Sequence, residues 1–276
     1  MKIFNKVAII GTGLIGGSIA LAIKNRKLAN EVIGVSRKKR NLLLARRRGA
    51  IDKGSQELGI IKEADLVILA TPVNAILELA PKISKIVKKD CLITDVGSTK
   101  EKIVLNLEKI FPNFVGSHPL AGSEKRSIAY ADPKILEKSI CILTPTKNTN
   151  KKALNKIRLL WSKVGARTIL LTPQAHDKIL SFVSHLPHIA AFSLIGVVPG
   201  QYLKFASTGL KDTTRVAASD SELWAEIFLS NQKNILKAIE LLENNLKRIK
   251  RAIRKNDKKR LSLILNEGKI KRETLL

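Results

Sequence analysis

The segment Gly11-Thr12-Gly13-Leu14-Ile15-Gly16 constrains the fold of this chain more than any other because of what stands on either side of it. Lys6-Val7-Ala8-Ile9-Ile10 before it is a short run rich in β-branched residues. Leu14 to Lys27 after it is apolar with basic residues at its end, so the order reads strand, tight turn, helix. Gly11 permits the turn, Gly13 lets the backbone approach a ligand, and Gly16 lets helix and strand pack closely. A helix opened in this way turns unpaired N–H groups and the positive end of its dipole toward a phosphate. The pattern predicts a dinucleotide held over Gly11, Gly13, Leu14, Ile15 and Gly16. It also predicts an α/β fold of Rossmann type with a mostly parallel sheet. A glycine-rich turn with no ligand is the plain alternative.

The same stretch has a competing reading. Val7 to Ile23 is almost wholly apolar behind Lys2 and Lys6, like a signal peptide or a short membrane span. It falls short of the ~20 residues a span needs, contains four glycines and ends without a small-residue cleavage pattern. No other segment is expected to be long enough to cross a bilayer, the best being Ile189 to Val198. No membrane partner is therefore expected.

The second strand, Glu31-Val32-Ile33-Gly34-Val35, ends where such folds place the adenosine ribose. An acidic side chain there binds a free 2′-hydroxyl, whereas a nearby Arg accommodates a 2′-phosphate. This chain offers Ser36, Arg37, Lys38, Lys39 and Arg40. NADP is therefore expected in preference to NAD, with Ser36, Arg37 and Lys38 as contacts. Solvated bases on a strongly basic protein are the alternative. The net charge of +27 over 276 residues raises nucleic acid as a partner. Yet the bases are spread along the whole chain, aromatic residues are only 4%, and no zinc-finger, homeodomain or RNP pattern is present. No nucleic-acid partner is expected, and attraction of anionic substrates is the simpler consequence. Cys91 and Cys141, in apolar runs with no CxxC pattern, read as buried reduced thiols of a cytoplasmic protein.

The α/β rhythm continues. Ala64 to Pro72 reads as a buried strand ending at Thr71 and Pro72, and Val73 to Lys88 as an amphipathic helix. Cys91 to Val96 is the next strand, running into Gly97-Ser98-Thr99-Lys100, and Phe114-Val115-Gly116-Ser117 leads to His118. Loops after strand C-termini are where an open parallel sheet binds ligands. Thr71, Ser98 and His118 are thus expected in one crevice, with Thr71 and Pro72 beside the cofactor. Ser139 to Leu143 and Thr168 to Leu171 are further strands flanking a helix, Lys151 to Val164. From residue 174 the pattern is helical, with His176 to Val198 and one long helix from Ser221 to Lys255 capped by Ser221. Leu223, Ile227, Ile235, Ile239, Leu242 and Leu246 give that helix more apolar surface than one short domain covers. Residues 1–173 are expected to form a dinucleotide-binding domain, and residues 174–276 an all-helical substrate and dimerisation domain.

Three motifs then follow in order behind the glycine loop: Gly116-Ser-His118-Pro-Leu-Ala-Gly-Ser-Glu124, Ser184-His185-Leu-Pro-His188, and Gly209-Leu-Lys-Asp-Thr-Thr-Arg215-Val-Ala217. Together they resemble the prephenate/arogenate dehydrogenase family of tyrosine biosynthesis, over effectively the whole chain and in its stand-alone form. The resemblance implies oxidative decarboxylation of prephenate with hydride transfer to NAD(P)+, or the same reaction on arogenate. It places His118 as the base on the C4 hydroxyl, with Ser98 orienting its ring. Arg215 would hold a substrate carboxylate, and His188, Ser184, His185 and Glu124 would complete the pocket. A homodimer through the apolar face of the C-terminal helices is expected, and no metal, since His185 and His188 have no third ligand in register. Leu210 and Lys211 stand where many members have Phe and Arg. Glu124 could bind the ammonium of arogenate or act through water or Arg215, and prephenate is favoured because two histidines and a basic protein suit the more anionic substrate.

Each residue also has a structural alternative. His118 could be a structural hydrogen-bonder, Arg215 could pair with Asp212 across a helical turn, and His185 with His188 could be a metal pair lacking a third ligand. His176 and Trp224, on helices, read as interface or core. A non-catalytic dinucleotide sensor would keep the loop without needing the histidine and arginine motifs. A different β-hydroxyacid or imine dehydrogenase would be expected to use a lysine or aspartate on the helical domain.

Overall fold

The computed structural model describes residues 2–122 and 127–275. Alternation along the first strand sets up both layers of the core. In β1 (Phe4–Ile10), Val7 and Ile9 face one cluster while Ala8 and Ile10 face another, and all four are buried. A strand buried on both faces belongs in the middle of a parallel sheet covered by helices. Helix α1 (Leu14–Asn25) returns the chain to β2 (Ala29–Val35), and α2 (Lys39–Arg47) to β3 (Lys53–Ser55). The chain then crosses back to β4 (Leu66–Leu69), α3 (Val73–Ser84), β5 (Leu92–Asp95), α4 (Glu101–Leu107) and β6 (Phe114–Val115). The sheet order is β3-β2-β1-β4-β5-β6, with every pairing parallel. The winding direction reverses between β1 and β4, which opens a crevice beyond their C-terminal ends.

Beyond β6 the chain does not run straight into a loop, as the sequence pattern suggests. It turns at Gly116, where a Cβ would stand 2.4 Å from Thr144 Oγ1 and 2.8 Å from Val104 Cγ2. It then enters β7 (Ser117–Pro119) of a second sheet. β7 pairs antiparallel with β8 (Ile140–Leu143), and after α5 (Lys151–Lys163) β9 (Arg167–Leu170) joins β8 in parallel. His118 therefore lies within a strand, opposite Ile142, rather than in a connecting loop. Trp161 of α5, fully buried, donates its indole N–H to Ser117 Oγ at 3.1 Å and pins the new strand from below.

The described residues after β9 are helices and turns. Thr172 caps α6 (Pro173–Leu180), accepting a bond from Ala175 N. Ser181–His185 form one wider π turn, and α7 (Leu186–Gly196) follows directly. The resulting run, Pro173–Gly196, has 24 residues and a mean hydropathy of 1.5 over its most apolar window. By length and composition it could cross a bilayer, which corrects the expectation that only the N-terminal segment approached that size. The apolar stretch reads longer in the structure because the π turn and Pro187 do not interrupt the helix. Its polar residues His176, Asp177, Ser181 and His185 are nonetheless buried within the protein. The N-terminal candidate, by contrast, is divided into strand, loop and helix.

Helices α8 (Thr208–Thr214), α9 (Ser221–Ser230), α10 (Gln232–Arg254) and α11 (Lys258–Glu273) complete the chain. The expected single helix from Ser221 to Lys255 is two helices, broken at Asn231, and its cap is Asp220, which accepts from Leu223 N at 2.9 Å. Asn231 is buried, and its side chain serves contacts outside its own helix.

Candidate active site

The glycine loop has the conformation that its sequence demands. Gly11 has φ +100°, and a Cβ there would meet Ala70 O at 2.3 Å. A Cβ on Gly16 would meet Gly11 O at 2.0 Å. Helix α1 begins with no side-chain cap and no acidic residue in its first turn, so its amino end is free to receive an anion. The hydroxyls of Thr12 and Thr71 are buried and lack hydrogen-bond partners among the described residues. Gly11 N donates to Val35 O at 2.9 Å, tying the loop to the end of β2, where Ser36, Arg37 and Lys38 follow. Arg37 and Lys38 are exposed and make no ion pair among the described residues. Open amides, orphaned hydroxyls and free cations at a switch point fit a dinucleotide, with Leu14 and Ile15 in the first turn and Pro72 leading into α3.

One cavity of about 520 Å³ adjoins the second sheet, a volume suited to a small molecule. Ser98, His118, Ser184, His185, His188 and Arg215 all line it, so residues from a strand, three helical segments and a loop converge as their motifs suggest. Glu124 lies outside the described residues. All four histidines of the chain are in this corner of the molecule.

His118 is the most buried of the cavity's polar groups on the sheet side. Its Nδ1 lies 2.8 Å from His176 Nε2, and His176 Nδ1 lies 2.7 Å from Asp177 Oδ1. Asp177 in turn accepts the amides of Lys100 (2.7 Å) and Glu101 (2.9 Å) at the start of α4. The ring contact on His118 is thus made by His176, not by Ser98, which shares the cavity wall. His176, which the sequence pattern reads as core or interface, contacts the ring of a cavity residue directly. The available signal was its direct junction with Asp177 in a chain with few histidines. Burial, followed by the charges of His176, Lys100 and His185, holds His118 well below its ordinary pKa.

The helical wall is equally ordered. Asn231 Nδ2 donates to Asp177 O at 2.8 Å and to His185 Nδ1 at 3.2 Å, so neutral His185 carries its proton on Nε2. Burial pushes His185 down to about 4. His188 donates Nδ1–H to Ser184 O at 2.9 Å and stacks on Trp224. Burial lowers its pKa, and Arg215 lowers it further against the opposing Ser184 bond. Trp224 is therefore a wall of the site. Arg215 is exposed at the mouth, beyond the end of α8. Among the described residues no ion pair joins it to Asp212.

Residues 19–170 match the family described as the nucleotide-binding domain of prephenate dehydrogenase, and residues 172–267 match its dimerization domain. The chain belongs to the prephenate dehydrogenase family. It is 34% identical to a prephenate dehydrogenase of Bacillus subtilis, covering 98% of this chain and 76% of that one. It is also 34% identical to a cyclohexadienyl dehydrogenase of Zymomonas mobilis, covering 93% and 91%. Among solved structures, prephenate dehydrogenase from Aquifex aeolicus in complex with hydroxyphenyl propionate and NAD+ superposes with a TM-score of 0.93 at 36% identity, over 99% of this chain and 98% of that one. An arogenate dehydrogenase from Synechocystis gives 0.83 at 28% identity, over 98% and 100%. This member of the prephenate dehydrogenase family thus has relatives named for either substrate.

Proposed function

We propose that this protein oxidatively decarboxylates prephenate to 4-hydroxyphenylpyruvate, with His118 as the general base. The observation that carries this reading is the ring of His118, anchored at Nδ1 by His176, in the wall of a cavity shared with Arg215 and His188. Prephenate bears a ring alcohol at C4 and a carboxylate at C1. When bound, the oxidised nicotinamide supplies the acceptor for the C4 hydride. His118 Nε2 accepts the hydroxyl proton as C4 gains carbonyl character. The C1–carboxylate bond breaks, CO2 leaves, and its electron pair completes the aromatic ring. His118 then returns the proton to the phenolate oxygen, so the base is regenerated with no net proton change.

Arg215 pairs with a substrate carboxylate, for which its planar fork is well suited. His185 offers Nε2–H to the substrate, while His188 is held by Ser184 and Trp224 as the opposing wall. Ser98 completes the cavity wall, and Glu124 is assigned to the substrate by the family motif alone. Ser36, Arg37 and Lys38 favour NADP over NAD, and Gly11, Gly13, Leu14, Ile15, Gly16, Thr71 and Pro72 hold the rest of the cofactor.

Residues 1–173 act as the cofactor domain, and residues 174–276 as the substrate and dimer domain. Exposed Leu229, Leu236, Val197 and Phe205 supply apolar surface for a homodimer in the cytoplasm. The test is reduced-nicotinamide formation with prephenate and arogenate, each against NAD and NADP at matched concentrations. Prephenate with NADP should be fastest. Faster turnover of arogenate would reassign the substrate, and no turnover in any combination would overturn the reading.

A further inference from the structure

We infer that His176 and Asp177 are positioning residues that fix the proton of resting His118 on Nδ1 and thereby leave Nε2 bare toward the cavity. The inference rests on the assignment of His118 as base, but its physical core is a chain of donors and acceptors that stands apart from turnover. It starts at Asp177. Both of its oxygens accept backbone amides at the start of α4, and Oδ1 also meets His176 Nδ1. A carboxylate has only acceptors to offer, so His176 Nδ1 carries the proton. Neutral His176 then has an unprotonated Nε2. Its one partner among the described residues is His118 Nδ1 at 2.8 Å, so that nitrogen must be the donor. Neutral His118 is left with Nε2 bare, and among the described residues Nε2 has no hydrogen-bond partner.

The arrangement selects the tautomer that a base needs. Were His118 free, it could carry its proton on Nε2, and that ring would present an N–H to the substrate hydroxyl and be unable to accept from it. Burial supports the neutral state of His176 that the chain of bonds requires. When His118 Nε2 takes the substrate proton, the positive charge that forms is held by His176 Nε2, whose own Nδ1–H points to the Asp177 carboxylate. The anchor of the chain is the backbone of α4, which begins three residues after Ser98. The tautomer of the base is thus set from the same loop that forms the cavity wall.

Nitrogen-15 NMR of the resting wild-type protein at neutral pH tests this directly, and four histidines make the spectrum tractable. Two-bond proton–nitrogen correlations should show His118 and His176 both protonated on Nδ1. Either ring protonated on Nε2 would overturn the inference, whatever the activity. His176→Phe removes the acceptor, and His176→Gln offers a carbonyl oxygen in its place. His176→Phe should convert His118 to the Nε2–H form and lower kcat about 10- to 100-fold, with KM for prephenate changed less than about threefold. His176→Gln should recover most of kcat. Equal kcat in the folded Phe variant and the wild type would overturn the inference. Should the wild type show both Nδ1–H rings yet turn over neither prephenate nor arogenate, the proton chain would stand and the substrate assignment would fall.

Discussion

Asp95 and Lys100 form an ion pair to which water has no access from either side, directly behind the strand that carries His118. Asp95 closes β5 and also accepts the amides of Gly97 (2.8 Å) and Ser117 (3.2 Å), so one carboxylate braces both sheets. Removing one partner of such a pair leaves a buried charge uncompensated, which costs far more than the pair itself contributes. Lys100→Met should therefore lower unfolding free energy by about 3–5 kcal/mol, read from urea denaturation. A loss below about 1 kcal/mol, the range of an exposed pair, would show that Asp95 does not depend on Lys100.

Replacing His118 separates chemistry from binding. His118→Asn should reduce kcat by about two to four orders of magnitude while the dinucleotide Kd stays within about threefold of wild type. Steady-state kinetics and cofactor titration check it together. Near-normal turnover in this variant would remove His118 from the reaction.

Acidity should act on rate and stability at different groups. If His118 is the base, as proposed, it works in its neutral form; burial places its folded pKa below 6.5, so kcat/KM should hold through neutrality and fall only under more acid conditions. His185 lies at about 4 when folded, against about 6.5 unfolded. Between those values the unfolded chain binds the proton that the fold refuses, so its contribution to stability is complete above about 6.5 and is lost as pH falls toward 4. The loss from this group is on the order of 3 kcal/mol. Denaturation at a series of pH values should show it, and His185→Gln should flatten the slope.

Arg215→Ala should act on the substrate side alone, raising KM for prephenate about 10- to 100-fold with kcat falling much less. A drop confined to kcat would mean that the guanidinium serves only the transition state.

The cations after β2 make a separate prediction. The double change Arg37→Ala with Lys38→Ala should weaken NADP at least about tenfold and leave NAD within about threefold, since only the former presents a phosphomonoester. Equal losses for both would assign these residues to general charge.

How much of this could be read from the chain depends on the range of the forces involved. The glycine loop and strands β1, β2, β4 and β5 are written in consecutive residues, with buried β-branched runs ending at turns. The three cavity motifs are local too, and His118, Ser184, His185, His188 and Arg215 from them line one cavity. The strand that carries His118 has no such local signal, because it is created by a turn at Gly116 that only crowding from Thr144 and Val104 explains. The break at Asn231 has no local signal either, since Asn is tolerated in helices and its reasons lie at Asp177 and His185, some fifty residues away. His176 reads as core in the sequence because its partner stands 58 positions earlier in the chain.

The wide turn at Ser181–His185 sets the phase of everything after it. One residue more than a regular helix needs rotates α7 by about 100° relative to α6, since each residue advances the helix by that angle. His176 and Asp177 can then face the sheet from α6 while His185 and His188 face the cavity, all on one continuous rod. Deleting a single residue from this turn would yield a straighter, better-bonded helix whose histidines no longer meet around a common substrate.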